Sequence, residues 1–191
     1  MTANSRISET RRCDWVRSEL SIAYHDREWG VPSHDDRTLF EFLILEGAQA
    51  GLSWETILRK RDNYRAAFNN FDPRQVAKYD ESKINKLLGD AGIIRNRLKI
   101  NSAVGNAKAF LDIQKEFGSF DDFVWRFVNG KTIKRKRGAP VQAHTLESDA
   151  LSRELVKRGF KFVGSTICYS FMQAVGMVND HEPSCFRYKE I

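Results

Sequence analysis

From Asp35 to Gly176 the sequence is a relay of helix starts and stops, and no run of alternating β-branched residues in it is long enough to build a sheet. An Asp cap opens "HDDRTLFEFLILEGAQA", with Leu39, Phe42 and Leu43 at helical spacing. Gly51 breaks that helix, and Ser53 is placed to cap the next, "WETILRKRDNYRAAF". Asp72 followed by Pro73 is a strong start signal, because proline loses nothing at the first helical position. "DESKINKLLGDAG" reads as a short helix ending near Gly89 or Gly92. "RNRLKINSAVGNAKAFLDIQKEFG" is longer, with Ile100, Val104, Ala107 and Leu111 on one stripe. "SFDDFVWRFVNG", "SDALSRELVKRG" and "STICYSFMQAVG" complete the set. The expected fold is all-α: a flexible tail over residues 1–11, then a single helical domain over 12–191, with two lobes as one arrangement of it. Residues 131–148 read as a polar, basic loop.

A chain of 191 residues with 13 Phe and 4 Trp can bury one core of ordinary size. Three widely separated cysteines are the wrong number for a disulfide framework and fit a reducing compartment. The N-terminal segment lacks the apolar stretch of a signal peptide, and no apolar run approaches the ~20 residues of a spanning helix. A cytoplasmic protein without a membrane partner is expected. The net charge of +6 suits a polyanionic partner without requiring one.

Four segments carry chemistry. Cys13 and His25 near one end, and His181 and Cys185 near the other, form a nitrogen–sulfur set of the kind that holds tetrahedral zinc, although neither spacing is that of a zinc finger. Isolated buried cysteines are the alternative. Cys168 falls among apolar residues of a helix and reads as core; His34 and His144 read as solvated. Glu46 lies seven after Leu39, four after Phe42 and three after Leu43, on the apolar stripe of its own helix. A buried carboxylate needs a partner: a core arginine, a helix capping interaction, or a ligand entering a pocket walled by Trp54 and Tyr24. "LVKRGFKFVGST" is a helix, a tight link bracketed by Gly159 and Gly164, and a second helix. It is either an ordinary helix–helix turn or a backbone-phosphate grip with Lys157, Arg158 and Lys161 nearby. "KTIKRKR" has five basic residues in seven and is a solvated loop, a further hold on DNA or a nuclear targeting signal, the last with no other support in the chain.

"IAYHDREWGVP", "LEGAQAGLSWETIL", "DAGIIRNRLKI" and "RGFKFVGSTICYSFMQAVGMVNDH", in this order, resemble the 3-methyladenine DNA glycosylase I family of the helix-hairpin-helix glycosylase superfamily. The resemblance runs from Arg12 to Cys185. It implies that Cys13, His25, His181 and Cys185 bind one structural Zn²⁺ that clips the two ends of the chain together. It implies a base pocket of Glu46, Trp54 and Tyr24, with Trp15 and Trp29 in matching aromatic positions, and Glu46 as the catalytic carboxylate. Gly159, Lys161, Gly164, Ser165 and Thr166 would hold the backbone of double-stranded DNA containing alkylated bases. The implied reaction is hydrolytic release of a flipped-out 3-methyladenine; with no lysine nucleophile evident at the expected place a monofunctional enzyme is expected, and its size suits a monomer.

An anionic Glu46 would accept hydrogen bonds from the cationic base, whose aromatic surroundings favour its charge. The turn "AQAGLS" is placed to fill the gap left by the base, although Gly51 offers no wedge. Asp180 is expected to orient the adjacent zinc ligand or cap a turn. The first ten or so residues and the loop 131–148 depart from the family's pattern. The alternatives are a non-catalytic zinc-stabilised helix-hairpin-helix DNA-binding protein and a zinc hydrolase, the latter opposed by a full set of four protein ligands.

Overall fold

The computed structural model describes residues 10–135, 140 and 142–191; residues 1–9 of the expected tail, and Lys136 and Arg137 of the basic run, lie outside them. Nine α-helices are present among the described residues: α1 (Glu19–Arg27), α2 (Asp36–Gln49), α3 (Trp54–Ala67), α4 (Pro73–Val76), α5 (Glu81–Gly89), α6 (Arg97–Phe117), α7 (Phe120–Trp125), α8 (Leu146–Lys157) and α9 (Ser165–Ala174). The start signals act as read. Asp35 accepts the Thr38 N–H at 2.8 Å, and Ser53 that of Thr56 at 3.2 Å. The Asp72 carboxylate takes the Arg74 N–H at 2.9 Å, behind Pro73. Each such cap stabilises its helix by about 1 kcal/mol.

Two helix boundaries differ from the sequence reading. The aromatic segment before Trp29 contains α1, opened by a Ser18–Ser21 capping box; only Ser21, Tyr24 and His25 of it are buried, too few to leave a stripe. A Thr145–Ser148 capping box likewise starts α8 at Leu146, inside the segment expected to be loop.

α2 is the axis of the molecule. Every residue from Leu39 to Ala48 is buried, so this helix is covered on all sides rather than along one stripe. It packs against α3, α6, α7 and α9. Phenylalanines fill the space around it: Phe40 meets Phe110 at 5.0 Å between ring centroids, and Phe110 stacks on Phe120 at 4.2 Å. On α6 the buried stripe runs through Ile100, Val104, Ala107 and Phe110, with Leu111 only half-buried. Gly47 lets the α8–α9 link lie directly on α2, since a Cβ there would sit 3.2 Å from the Phe162 Cβ.

The all-α expectation needs one amendment. β1 (Ile133–Lys134) and β2 (Val178–Asn179) form a parallel two-residue pair, with Ile133 opposite Val178 and Lys134 opposite Asn179. Two residues are too few to leave an alternation in the sequence. The pair fastens part of the basic segment to the C-terminal stretch. The chain ends are also stitched together. Phe186 N–H donates to the Arg11 carbonyl at 3.0 Å, and Asp14 N–H to Glu182 Oε1 at 2.7 Å.

Candidate active site

α1, α2, α3 and α9 converge on a cavity of about 310 Å³. Four aromatic residues wall it: Tyr24 from α1, Trp54 at the first turn of α3, and Trp15 and Trp29 from the segments flanking α1. Tyr24 and Trp54 stand 5.4 Å apart between centroids, and Trp15 meets Trp29 edge-on at 5.1 Å. The sequence reading thus gathers its five pocket residues in one place. The buried Trp54 indole N–H has no hydrogen-bond partner among the described residues.

Glu46 lies in this wall, 4% exposed, and no described residue donates a hydrogen bond to it or pairs with its charge. Burial pushes its carboxyl up to about 8. With no donor or cation beside it among the described residues, burial favours the neutral acid in the free protein, and the anion expected from the sequence awaits a cationic partner. The Tyr24 phenol is pushed well above its ordinary value, by burial first and by Glu46 second, and so remains a neutral hydroxyl. The core arginine weighed as the partner of Glu46 is not beside it among the described residues; two arginines, Arg61 and Arg65, pair instead with Glu41, about one and a half turns earlier.

Sequence reasoning did not place Gln49, Arg135, Ser170, Gln173, Asp180 or Glu182 in the pocket, and all six line the cavity. Gln49 follows Glu46 by three on α2, and Ser170 and Gln173 interrupt the apolar α9 at the same spacing, a signal that was available. Arg135 had none, because its position depends on the β1–β2 pairing. Asp180 also departs from its expected role. Its Oδ2 accepts from the Tyr169 hydroxyl at 2.9 Å and the Gln173 amide at 2.5 Å, and Arg135 Nε stands 3.5 Å from Oδ1. It orients neither metal-ligand candidate.

Behind the aromatic wall, Cys13, His25 and Cys185 are all buried, with one ligand atom from each lying within 4.8 Å of the others. This group could hold a metal ion. Cys185 Sγ is 3.4 Å from His25 Nε2, and Cys13 Sγ accepts the Glu182 N–H at 3.3 Å. His181 is the fourth residue of the expected set: its ring centroid is 4.9 Å from that of His25, and its buried Nε2 has no hydrogen-bond partner among the described residues. The outer nitrogens are already held, His25 Nδ1 by Asp26 at 2.8 Å and His181 Nδ1 by Asn179 at 3.0 Å. That leaves both Nε2 lone pairs facing inward, the arrangement a metal-binding histidine requires. Burial lowers both imidazoles, that of His181 to about 3, which keeps them neutral. Gly30, at φ +81°, is required beside this cluster, since a Cβ would come within 2.8 Å of the His181 ring.

The α8–α9 link turns at Gly159, φ +88°. Asn106 clamps the Lys161 backbone through both its N–H (2.8 Å) and its C=O (2.9 Å). Ser152 holds the Val163 carbonyl at 2.7 Å, and Cys168 lies in the core beneath it. Gly164 starts α9 without a side-chain cap, so the first N–H groups of α9 take no bond from a capping side chain, and Lys161, Gly164 and Thr166 are exposed around them. α9 runs from this link to the cavity wall at Ser170 and Gln173.

The architecture coincides with that of solved DNA glycosylases. A crystal structure of a 3-methyladenine DNA glycosylase I matches with a TM-score of 0.89 at 54% identity, covering 92% of this chain and 98% of that one. The Staphylococcus aureus 3-methyladenine DNA glycosylase I, solved for the structural basis of its 3-methyladenine recognition, gives 0.89 at 34% identity over 93% and 96% of the two chains. The DNA-3-methyladenine glycosylase 1 of Escherichia coli K12 is 54% identical over 180 residues, 93% of this chain and 96% of that protein. Residues 15–188 match the methyladenine glycosylase family model, and the chain belongs to that family. No described helix is long and apolar enough to cross a membrane.

Proposed function

We propose that the protein is a base-excision repair enzyme that releases 3-methyladenine from alkylated double-stranded DNA. The observation that carries this reading is Glu46: a buried carboxyl with no partner among the described residues, in the wall of an aromatic cavity of about 310 Å³. A 3-methyladenine still joined to its sugar is cationic. It supplies the counter-charge that Glu46 lacks, and the rings of Tyr24, Trp54, Trp15 and Trp29 favour the same charge. Neutral adenine offers no such compensation. The base must leave the stack to enter, and the uncapped start of α9 with Lys161, Ser165 and Thr166 holds the backbone while it does.

Hydrolysis then needs little help from the protein. The bond between C1′ and the base nitrogen breaks with its electron pair going to the base, which departs neutral. Water bonds to C1′ and loses a proton, leaving an abasic sugar. No lysine lines the cavity among the described residues, which supports a monofunctional reaction. The protein acts as a monomer in the cytoplasm. Cys13, His25, His181 and Cys185 hold one structural Zn²⁺, whose role is to fix the two chain ends behind the pocket; four protein ligands leave it no position for substrate.

The test is release of free base from methylated duplex DNA with the products identified. Free 3-methyladenine with little 7-methylguanine is the expected result. Folded, DNA-binding protein that releases nothing would leave the non-catalytic binding protein standing. Metal analysis should find one zinc per chain. Cys185→Ser should lose it and lower the Tm by about 10 °C, corresponding to a loss near 3 kcal/mol. An unchanged Tm would sink the clip.

A further inference from the structure

We propose that Arg135 is a positioning residue that holds a phosphate of the extruded nucleotide at the cavity, an inference that rests on the glycosylase reading above. The cavity is lined by three carboxylates, Glu46, Asp180 and Glu182, and among the described residues by a single cation, Arg135. Its side chain is 12% exposed, yet its guanidinium makes no hydrogen bond to any described residue, and the buried Nε–H is left over. Asp180 Oδ1, at 3.5 Å, is near enough to neutralise it and too far for a good hydrogen bond.

The anchor of this side chain is rigid. Arg135 N–H donates to the Asn179 carbonyl at 3.1 Å, extending the β1–β2 pairing, and the Tyr188 hydroxyl donates to the Arg135 carbonyl at 3.1 Å. Asp180 is fixed in turn by Tyr169 and Gln173. A cation whose backbone is fixed at the wall of a pocket for a cationic base cannot serve the base, which it repels. The anion that enters with the base is the phosphodiester flanking it. A guanidinium with free N–H groups in a planar fork matches phosphate oxygens. Lys131, just before β1, and Lys134, within it, are also exposed.

Two variants separate this role from simple neutralisation of Asp180. Arg135→Gln keeps a donor for Asp180 and removes the charge; Arg135→Lys keeps the charge and loses the fork. Binding to methylated duplex DNA across a salt series, steady-state base release, and quenching of tryptophan fluorescence by free 3-methyladenine are measured on each. For Arg135→Gln the KM for DNA should rise about tenfold with kcat within about twofold. The log–log salt slope should become shallower by about one. Affinity for the free base, which carries no phosphate, should not change. Arg135→Lys should restore the salt slope and only part of the KM. An unchanged salt slope, or a free-base affinity that falls together with DNA affinity, would overturn the proposal and leave Arg135 as the counter-ion of Asp180. Wild-type protein that releases no base would overturn the glycosylase reading as well, so the two failures are distinguishable.

Discussion

Glu41 and Glu46 sit five residues apart on α2, 8% and 4% exposed, and their surroundings are opposite. Five residues turn a helix by about 140°, which sends the two carboxylates to different neighbours. Glu41 meets Arg61 Nε at 2.6 Å and Arg65 Nη2 at 2.8 Å; Arg61 also reaches Glu28 at 2.7 Å and lies 4.9 Å over the Phe42 ring. Burial works against the Arg61 charge, and Glu41 and Glu28 outweigh it, so its pKa is raised. Glu46 faces an aromatic cavity and has no ion-pair partner among the described residues, since the cation of that cavity, Arg135, stands beside Asp180. A buried carboxylate satisfied inside the protein belongs to the fold. One whose partner must come from outside belongs to the site.

The sharpest way to break this comparison is to treat the two residues alike. Removing Glu41 leaves the buried Arg61 with only Glu28, half-exposed, to compensate it. Glu41→Ala should cost about 3 kcal/mol, near the lower end for a broken buried pair because Glu28 remains. Urea denaturation measures the loss, and base release by whatever fraction is folded should be near normal. Glu46→Gln should do the reverse: release of 3-methyladenine falls roughly a hundredfold, the scale of losing one electrostatic contact to a developing charge, while the fold stays intact. If Glu41→Ala abolished release in folded protein, or Glu46→Gln left release unchanged, the division of labour along α2 would be wrong.

How much of this was legible in the sequence follows from how local each feature is. The caps of α2, α3 and α4 were readable because a cap joins residues two or three apart in the chain. Glu46 stood out as a charge in an apolar helix, and the resemblance singled it out from Glu41. The apolar stripe alone could not have done so, since α2 is buried on every side and Glu41 with it. The arginines that answer Glu41 come from α3, and no local pattern pairs them. Arg135 was illegible for the same reason: its place in the cavity wall depends on a two-residue strand pairing across more than forty residues. The metal-ligand candidates were visible as residue types. The convergence of Cys13, His25 and Cys185, and the holding of the outer histidine nitrogens by Asp26 and Asn179 rather than Asp180, required the folded chain.

The last test concerns the charge state of Glu46 itself. Its carboxyl sits at about 8 in the folded protein against 4.5 when unperturbed, so between these pH values the native state holds a proton that the unfolded chain has released. Stability from this group is therefore complete below about pH 4.5 and is lost as pH rises toward 8. Glu46→Gln has no such proton to lose. The stability of wild type relative to the variant should fall by up to about 1.4 kcal/mol per pH unit across that window, with every other titrating group cancelling in the difference. A flat difference would mean that the free protein already compensates the Glu46 charge, and the site would lose its reason to select a cation. With the slope present, binding of methylated DNA at neutral pH should release a proton from Glu46, because the cationic base favours the ionised form. Affinity should then strengthen as pH rises toward 8 and level off above it, in wild type and not in Glu46→Gln.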